Sequence, residues 1–144
     1  MSQILVPVDF TKASIEGIKK AIKIAKSNGG EIHLLNIVSP ITSNPDESPE
    51  VVLDHTLNLL KENESKLSDL LESIDDQGVE LHSEIVVDHL KPAIHKYLKK
   101  HDVELIVVGV NGAHTVGDLF LKNDEKNHKV VEVSCPVEVA YSET

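Results

Sequence analysis

Leu105, Ile106, Val107 and Val108 form one apolar run that ends in Gly109, with a second glycine at Gly112. A run so short and so rich in β-branched residues reads as a strand covered on both faces rather than as a helix. In an α/β sheet, the ground just past the carboxyl end of such a strand is where ligands bind. Glycines there let the backbone approach a phosphate or adopt φ > 0. From Gly112 to Gly117 the loop has the G-x-x-x-x-G frame of a P-loop, but Asp118-Leu119 stands where Lys-Ser/Thr should follow. A carboxylate at that point would repel phosphate, so the P-loop match is rejected.

The 144 residues suit one domain, 1–144, with one core. With no Trp, two Tyr and two Phe, that core must be aliphatic. No apolar run approaches the roughly 20 residues that span a bilayer. Ile4 to Val8 is too short for the apolar part of a signal peptide and runs into Asp9, so a cytoplasmic location is expected. The single Cys135 excludes an internal disulfide. A net charge of −10 argues against nonspecific binding to nucleic acid or anionic membrane, and it opposes entry of a polyphosphate unless local donors compensate.

Along the chain, strand and helix patterns alternate. Ile4 to Phe10 is a first strand and its exit, with Pro7 near the strand end because it cannot give an N–H to a ladder. Thr11 or Ser14 caps a helix whose stripe is Ile15, Ile18, Ile22 and Ala25, and Gly29-Gly30 stops it. Glu31 to Val38 is the second strand, and Ser39 to Pro49 is a surface loop with three prolines. Leu53, Leu57, Leu60, Leu67, Leu71 and Ile74 then mark a long helix. Bounded by Pro49 and Gly78 and under four heptads, it is expected to pack on a sheet rather than form a coiled coil. Val79 to Val87 is the third strand. Pro92 opens a helix with Ile94, Tyr97 and Leu98 on its apolar face, and Val103 to Gly109 is the fourth strand. A short helix is expected over Asp124 to Val133, although Val130, Val131 and Val133 are weak helix formers. Pro136 to Ala140 is the last strand.

Such alternation implies a parallel sheet with helices on both faces. Ile4 to Thr11, Gly29 to Val38, Val103 to Gly109 and Cys135 to Val139 fall in the order and spacing of the universal stress protein family, which the whole chain resembles. The resemblance implies one doubly wound five-stranded parallel sheet of the adenine-nucleotide alpha-hydrolase-like kind, order 3-2-1-4-5. The switch point lies between strands 1 and 4. The family's nucleotide loop reads Gly-x2-Gly-x9-Gly-Ser/Thr. Gly109 and Gly112 match its first half; Lys122-Asn123, or Asn123-Asp124 one residue on, does not match its second.

On that resemblance, Asp9 and its neighbours Pro7 and Val8, with Ile37, face the adenine and ribose, Gly109 and Gly112 form the loop, and Asn123 stands at the phosphate end. Each has a plainer reading: Asp9 as a turn or cap carboxylate, Val8 and Ile37 as core, the glycines as turn formers. His89, His95 and His101 are spaced so that successive rings turn about 240° around a helix, and no metal site is expected from them. His114 is expected in solvent. No Gly-x-Ser-x-Gly elbow occurs, and Cys135 before Pro136 is expected to pack as a small hydrophobe, so no catalytic residue is assigned.

The resulting expectation is a stress-response or regulatory protein that works through unidentified protein partners. Its nucleotide site is degenerate, its ATP binding weak or absent, and its activity none or at most a weak ATPase. The alternative is a switch that holds ATP or AMP through the retained adenine side. No cofactor is required on the first reading. A homodimer through the last strand is expected on either.

Overall fold

The computed structural model describes residues 2–40 and 46–144. The elements run β1 (Gln3–Val8), α1 (Lys12–Asn28), β2 (Glu31–Val38), α2 (Pro49–Ser73), β3 (Glu80–Val87), α3 (Leu90–Lys100), β4 (Val103–Val110), α4 (Val116–Phe120) and β5 (Val137–Tyr141). The strands form one parallel sheet in the order β3-β2-β1-β4-β5, as the family resemblance implies. Residues 41–45 of the expected loop lie outside the described residues.

Period-two alternation splits the apolar residues between two cores. Ile4, Val6 and Val8 of β1 join Ile18 and Ile22 of α1 and Leu67 and Leu70 of α2 on one face. Leu5 joins Leu35, Ile94, Tyr97, Ile106, Val108 and Phe120 on the other. Each fully buried Leu, Ile or Val contributes roughly 1.5–3 kcal/mol relative to exposure. Helix α1 starts at Thr11, whose hydroxyl accepts the Ser14 N–H at 3.3 Å, and ends at Gly29 with φ 73°. Its buried side includes Ala13, Ser14, Gly17 and Ala21 as well as the expected Ile18, Ile22 and Ala25, and these small residues let it lie close against the sheet; Ile15 is only half-buried.

Two expectations need correction. Among the described residues, helix α2 packs on the cores only through its second half. Its 25 residues give about 37 Å of helix, and the eight-residue strands reach only about 26 Å. The surplus at its start leaves Val51, Leu53 and Leu57 exposed. The crossover over 124–133 is not a helix. Asp124 accepts the backbone N–H of Lys126 and of His128, both at 2.9 Å, and Asn127 sits at φ 64°. These side-chain-to-backbone bonds compete with a helix and close a tight turn instead, joined by an antiparallel bridge from Asn123 to Lys129. The helical turn of this segment lies earlier, at α4.

Candidate functional site

The carboxyl ends of β1 and β4 meet at the point where strand order reverses. Asp9 leaves β1 there. Its Oδ1 accepts the Thr11 N–H at 3.0 Å, the Ser14 hydroxyl at 2.7 Å and the Thr11 hydroxyl. Its Oδ2 accepts the Val116 N–H at 2.9 Å. Burial pushes this carboxyl up, but bonds from the Thr11 hydroxyl, the Val116 N–H and the Ser14 hydroxyl outweigh burial and hold it below its ordinary value. Asp9 therefore caps a turn, as its plainer reading has it, and also ties the exit of β1 to the start of α4.

The loop after β4 is organised by a second carboxylate. Asp118 Oδ1 accepts the Gly112 N–H at 3.1 Å; its Oδ2 accepts the N–H groups of Asn111 and Thr115, each at 3.3 Å, and the Thr115 hydroxyl. The Thr115 oxygen accepts the Asp118 N–H in return at 3.1 Å, completing a capping box at α4. Asn111 Oδ1 takes the Ala113 N–H at 2.9 Å. Partial burial raises the Asp118 carboxyl, and the donors from Thr115, Asn111 and Gly112 more than reverse that, holding it below its ordinary value. The N–H groups of Asn111, Gly112, Ala113, Thr115 and Val116 are thus all engaged by oxygens of this chain. A loop of backbone donors curled around an anion is a phosphate-binding geometry; here the anion is Asp118.

The two glycines have structural reasons of their own. A Cβ on Gly109 would lie 1.8 Å from the Ala13 carbonyl oxygen, so its bareness permits the contact between β4 and α1. Gly112 has open space around it but a φ of 83°, which favours glycine. Gly117 shares the crowding, since its Cβ would lie 2.0 Å from the Gly109 oxygen.

The remaining sequence candidates are spread over both faces of the sheet and the crossover turn. Pro7 is buried in β1, opposite Leu35 in register. Val8 is buried on the α1 face, and its carbonyl accepts the amide of buried Asn36 at 3.0 Å. Ile37 packs on the opposite face. Asn123 is exposed at the crossover turn, and its side chain donates to Asn127 at 3.2 Å. His114 is exposed. Burial pushes the Cys135 thiol up, and it packs beside the second core, the unreactive setting expected of it. The sequence reading missed Thr115 as a partner of Asp118, although Thr-x-x-Asp ahead of Leu119-Phe120 is a capping-box signal. It missed Asn36 and Asn63 too, which link α2 to β2 at 3.0 Å.

The fold and sequence have clear relatives. Universal stress protein MJ0531 of Methanocaldococcus jannaschii is 27% identical over 137 residues, covering 94% of this chain and 79% of that protein. The solved structure of MJ0577 superimposes with a TM-score of 0.71 at 18% identity, over 99% of this chain and 97% of the other. An Arabidopsis thaliana universal stress protein, solved with AMP bound, superimposes with a TM-score of 0.55 at 22% identity, over 100% of this chain and 94% of its own. The sequence pattern of the universal stress protein family matches residues 1–139, and the chain belongs to that family.

Proposed function

We propose that this protein is a stress-response or regulatory member of its family, working through protein partners rather than catalysis, with a phosphate loop closed by its own carboxylates. The observation that carries this reading is Asp118, whose two oxygens take the N–H groups of Asn111, Gly112 and Thr115. An incoming phosphate would have to displace that carboxylate and then sit beside it. At about 1.5–3 kcal/mol per charge-assisted hydrogen bond, losing two or three such donors weakens ATP by orders of magnitude.

Asp118→Ala tests this directly. It frees the three N–H groups and removes the charge, so calorimetry should show ATP binding at least tenfold tighter than in the wild type. Low-micromolar ATP affinity in the wild-type protein would overturn the reading.

A second reading rests on Asp9, an ionised group at the switch point whose Oδ2 accepts the Val116 N–H. The Arabidopsis relative was solved with AMP bound. On this reading the chain keeps a nucleoside contact and serves as an AMP- or ATP-responsive switch. On either reading we propose a homodimer through β5. No helix among the described residues is long and apolar enough to cross a membrane.

A further inference from the structure

Strands β2 and β3 each open with Glu-x-His: Glu31-Ile32-His33 and Glu80-Leu81-His82. Their parallel register sets Glu31 beside Glu80 and His33 beside His82. Side chains two apart on a strand share a face, so all four lie on one face at the amino-terminal end of the sheet. Asp9 and the glycine loop lie at the other end.

The rings converge on one carboxylate. His33 Nε2 is 3.0 Å from Glu31 Oε1, and His82 Nε2 is 3.6 Å from Glu31 Oε2 and 3.3 Å from Glu80 Oε2. The two imidazoles stack with centroids 5.0 Å apart. On the inner side, the Tyr97 hydroxyl of α3 lies 2.8 Å from His33 Nδ1, and His101 stacks on Tyr97 at 4.1 Å. The Tyr97 phenol is a hydroxyl that can accept or donate.

We propose that Glu31, His33 and His82 form a binding site for a divalent transition-metal ion of the zinc type. One ligand atom from each of the three lies within 4.8 Å of the others. A tetrahedral shell with bonds of about 2.0–2.2 Å has ligand atoms roughly 3.3–3.6 Å apart. His33 Nε2 lies 3.0 Å from Glu31 Oε1 and His82 Nε2 lies 3.6 Å from Glu31 Oε2, close to that spacing, so rotation of these side chains would bring both rings and one carboxylate oxygen onto an ion. Two imidazoles and a carboxylate suit zinc, cobalt or nickel better than magnesium or calcium. Metal-bound histidines hydrogen-bond through the second ring nitrogen, and Tyr97 stands at that position on His33, where it would accept Nδ1–H when Nε2 binds an ion. Water or Glu80 supplies a fourth ligand. A bound ion would clamp the edge strand β3 to β2. The expectation of no metal site weighed spacing within single segments; this set appears only when two strands are laid in register.

The test uses the full chain after chelator treatment and dialysis. Zinc titration by calorimetry should show one ion per chain at micromolar or tighter affinity, and cobalt should give the visible absorption of a tetrahedral site. His82 is half-exposed, so His82→Ala should fold normally, as circular dichroism would show, and weaken zinc at least tenfold. Glu31→Gln should do the same, whereas His55→Ala on α2 should leave binding unchanged. Failure of the wild type to bind, or equal binding by wild type and His82→Ala, overturns the site; the second result places the ion on another surface histidine.

Discussion

Asp9 Oδ2 and the Val116 N–H meet at 2.9 Å across 107 residues of sequence, joining the exit of the first strand to the helix that follows the glycine loop. The same carboxylate fixes the start of α1 through Thr11 and Ser14. Asp9→Ala would leave the Val116 and Thr11 N–H groups without their acceptor. The expected loss is about 2–4 kcal/mol, because hydrogen bonds to a charged group are worth about 1.5–3 kcal/mol each and water repairs part of the damage. Asp9→Asn keeps an acceptor oxygen and should lose about half as much. Urea unfolding distinguishes them, and a change below about 0.5 kcal/mol for the alanine variant would show that Asp9 holds nothing together.

Both loop carboxylates titrate below their ordinary value of 3.8 in the folded protein. The sign follows from linkage. A depressed folded pKa means the unfolded chain binds protons first as pH falls. The stabilisation is therefore complete at pH values above 3.8 and is lost as pH drops through the folded values. Stability should fall steeply below about pH 4, and the slope should be shallower in Asp9→Asn and in Asp118→Asn. Acid unfolding followed by circular dichroism measures this; equal slopes in all three proteins would refute it.

Gly109 and Gly112 should respond differently to alanine. At Gly109 the new methyl meets the Ala13 backbone 1.8 Å away, which rotamer changes cannot relieve. Overpacking of this kind costs about 3 kcal/mol or more. At Gly112 the space is open and only the positive φ is strained, a cost of about 1–2 kcal/mol. Thermal melts of the two variants should rank accordingly, and a milder effect at Gly109 would mean that α1 moves away from β4.

How legible this was in the sequence depends on the range of the interaction. The five strands could be read because each is a local apolar run bounded by Gly, Pro or a cap, and α/β alternation leaves few topologies. The crossover could not, because Asp124 closes its turn with backbone groups that no periodicity announces. The overhang of α2 escaped because leucine spacing reports a stripe and not what lies opposite it. At the candidate site, Asp9, Gly109 and Gly112 were named from the sequence, and Asp118 was expected to repel phosphate. Its occupation of the loop's own N–H groups needed the fold of residues 111–118. The Glu31, His33 and His82 cluster needed the register of β2 on β3.

If a nucleotide binds at all, its phosphates should add little. The side of the site that could contact a nucleoside lies at Asp9, and the loop donors that would hold phosphates are engaged by Asp118. AMP or adenosine should then compete with labelled ATP nearly as well as ATP itself. Asp9→Asn is the variant to use, because Asp9→Ala would also release Val116 and loosen the loop. Binding of ATP far tighter than AMP would show that Asp118 gives way.

The last prediction concerns the free edge of β5. The Ile106 N–H donates to the Pro136 carbonyl, and the Ser142 N–H donates to Val110. Alternate residues of a parallel strand face the same neighbour, so Val139 points its backbone groups away from β4. Its carbonyl accepts the Lys20 ammonium at 2.8 Å, and Lys20 also pairs with Glu138 at 3.3 Å. A lysine on an edge is a known guard against strand pairing, and it was not visible in the sequence of β5 itself. Tyr141 nevertheless stands 82% exposed. A groove of about 540 Å³, lined by Phe120, Val131, Val137 and Val139 with Lys129 and Glu132 also on its wall, lies against the strand. A second copy laid antiparallel on β5 would cover both and form a self-complementary interface, provided that Lys20 releases Val139. Lys20→Ala should therefore strengthen the dimer, and Val139→Lys should break it while leaving the monomer folded. Sedimentation at micromolar concentration reads the result. A wild-type mass of one chain, 15.8 kDa, unchanged by Lys20→Ala, would rule out the edge as a dimer contact.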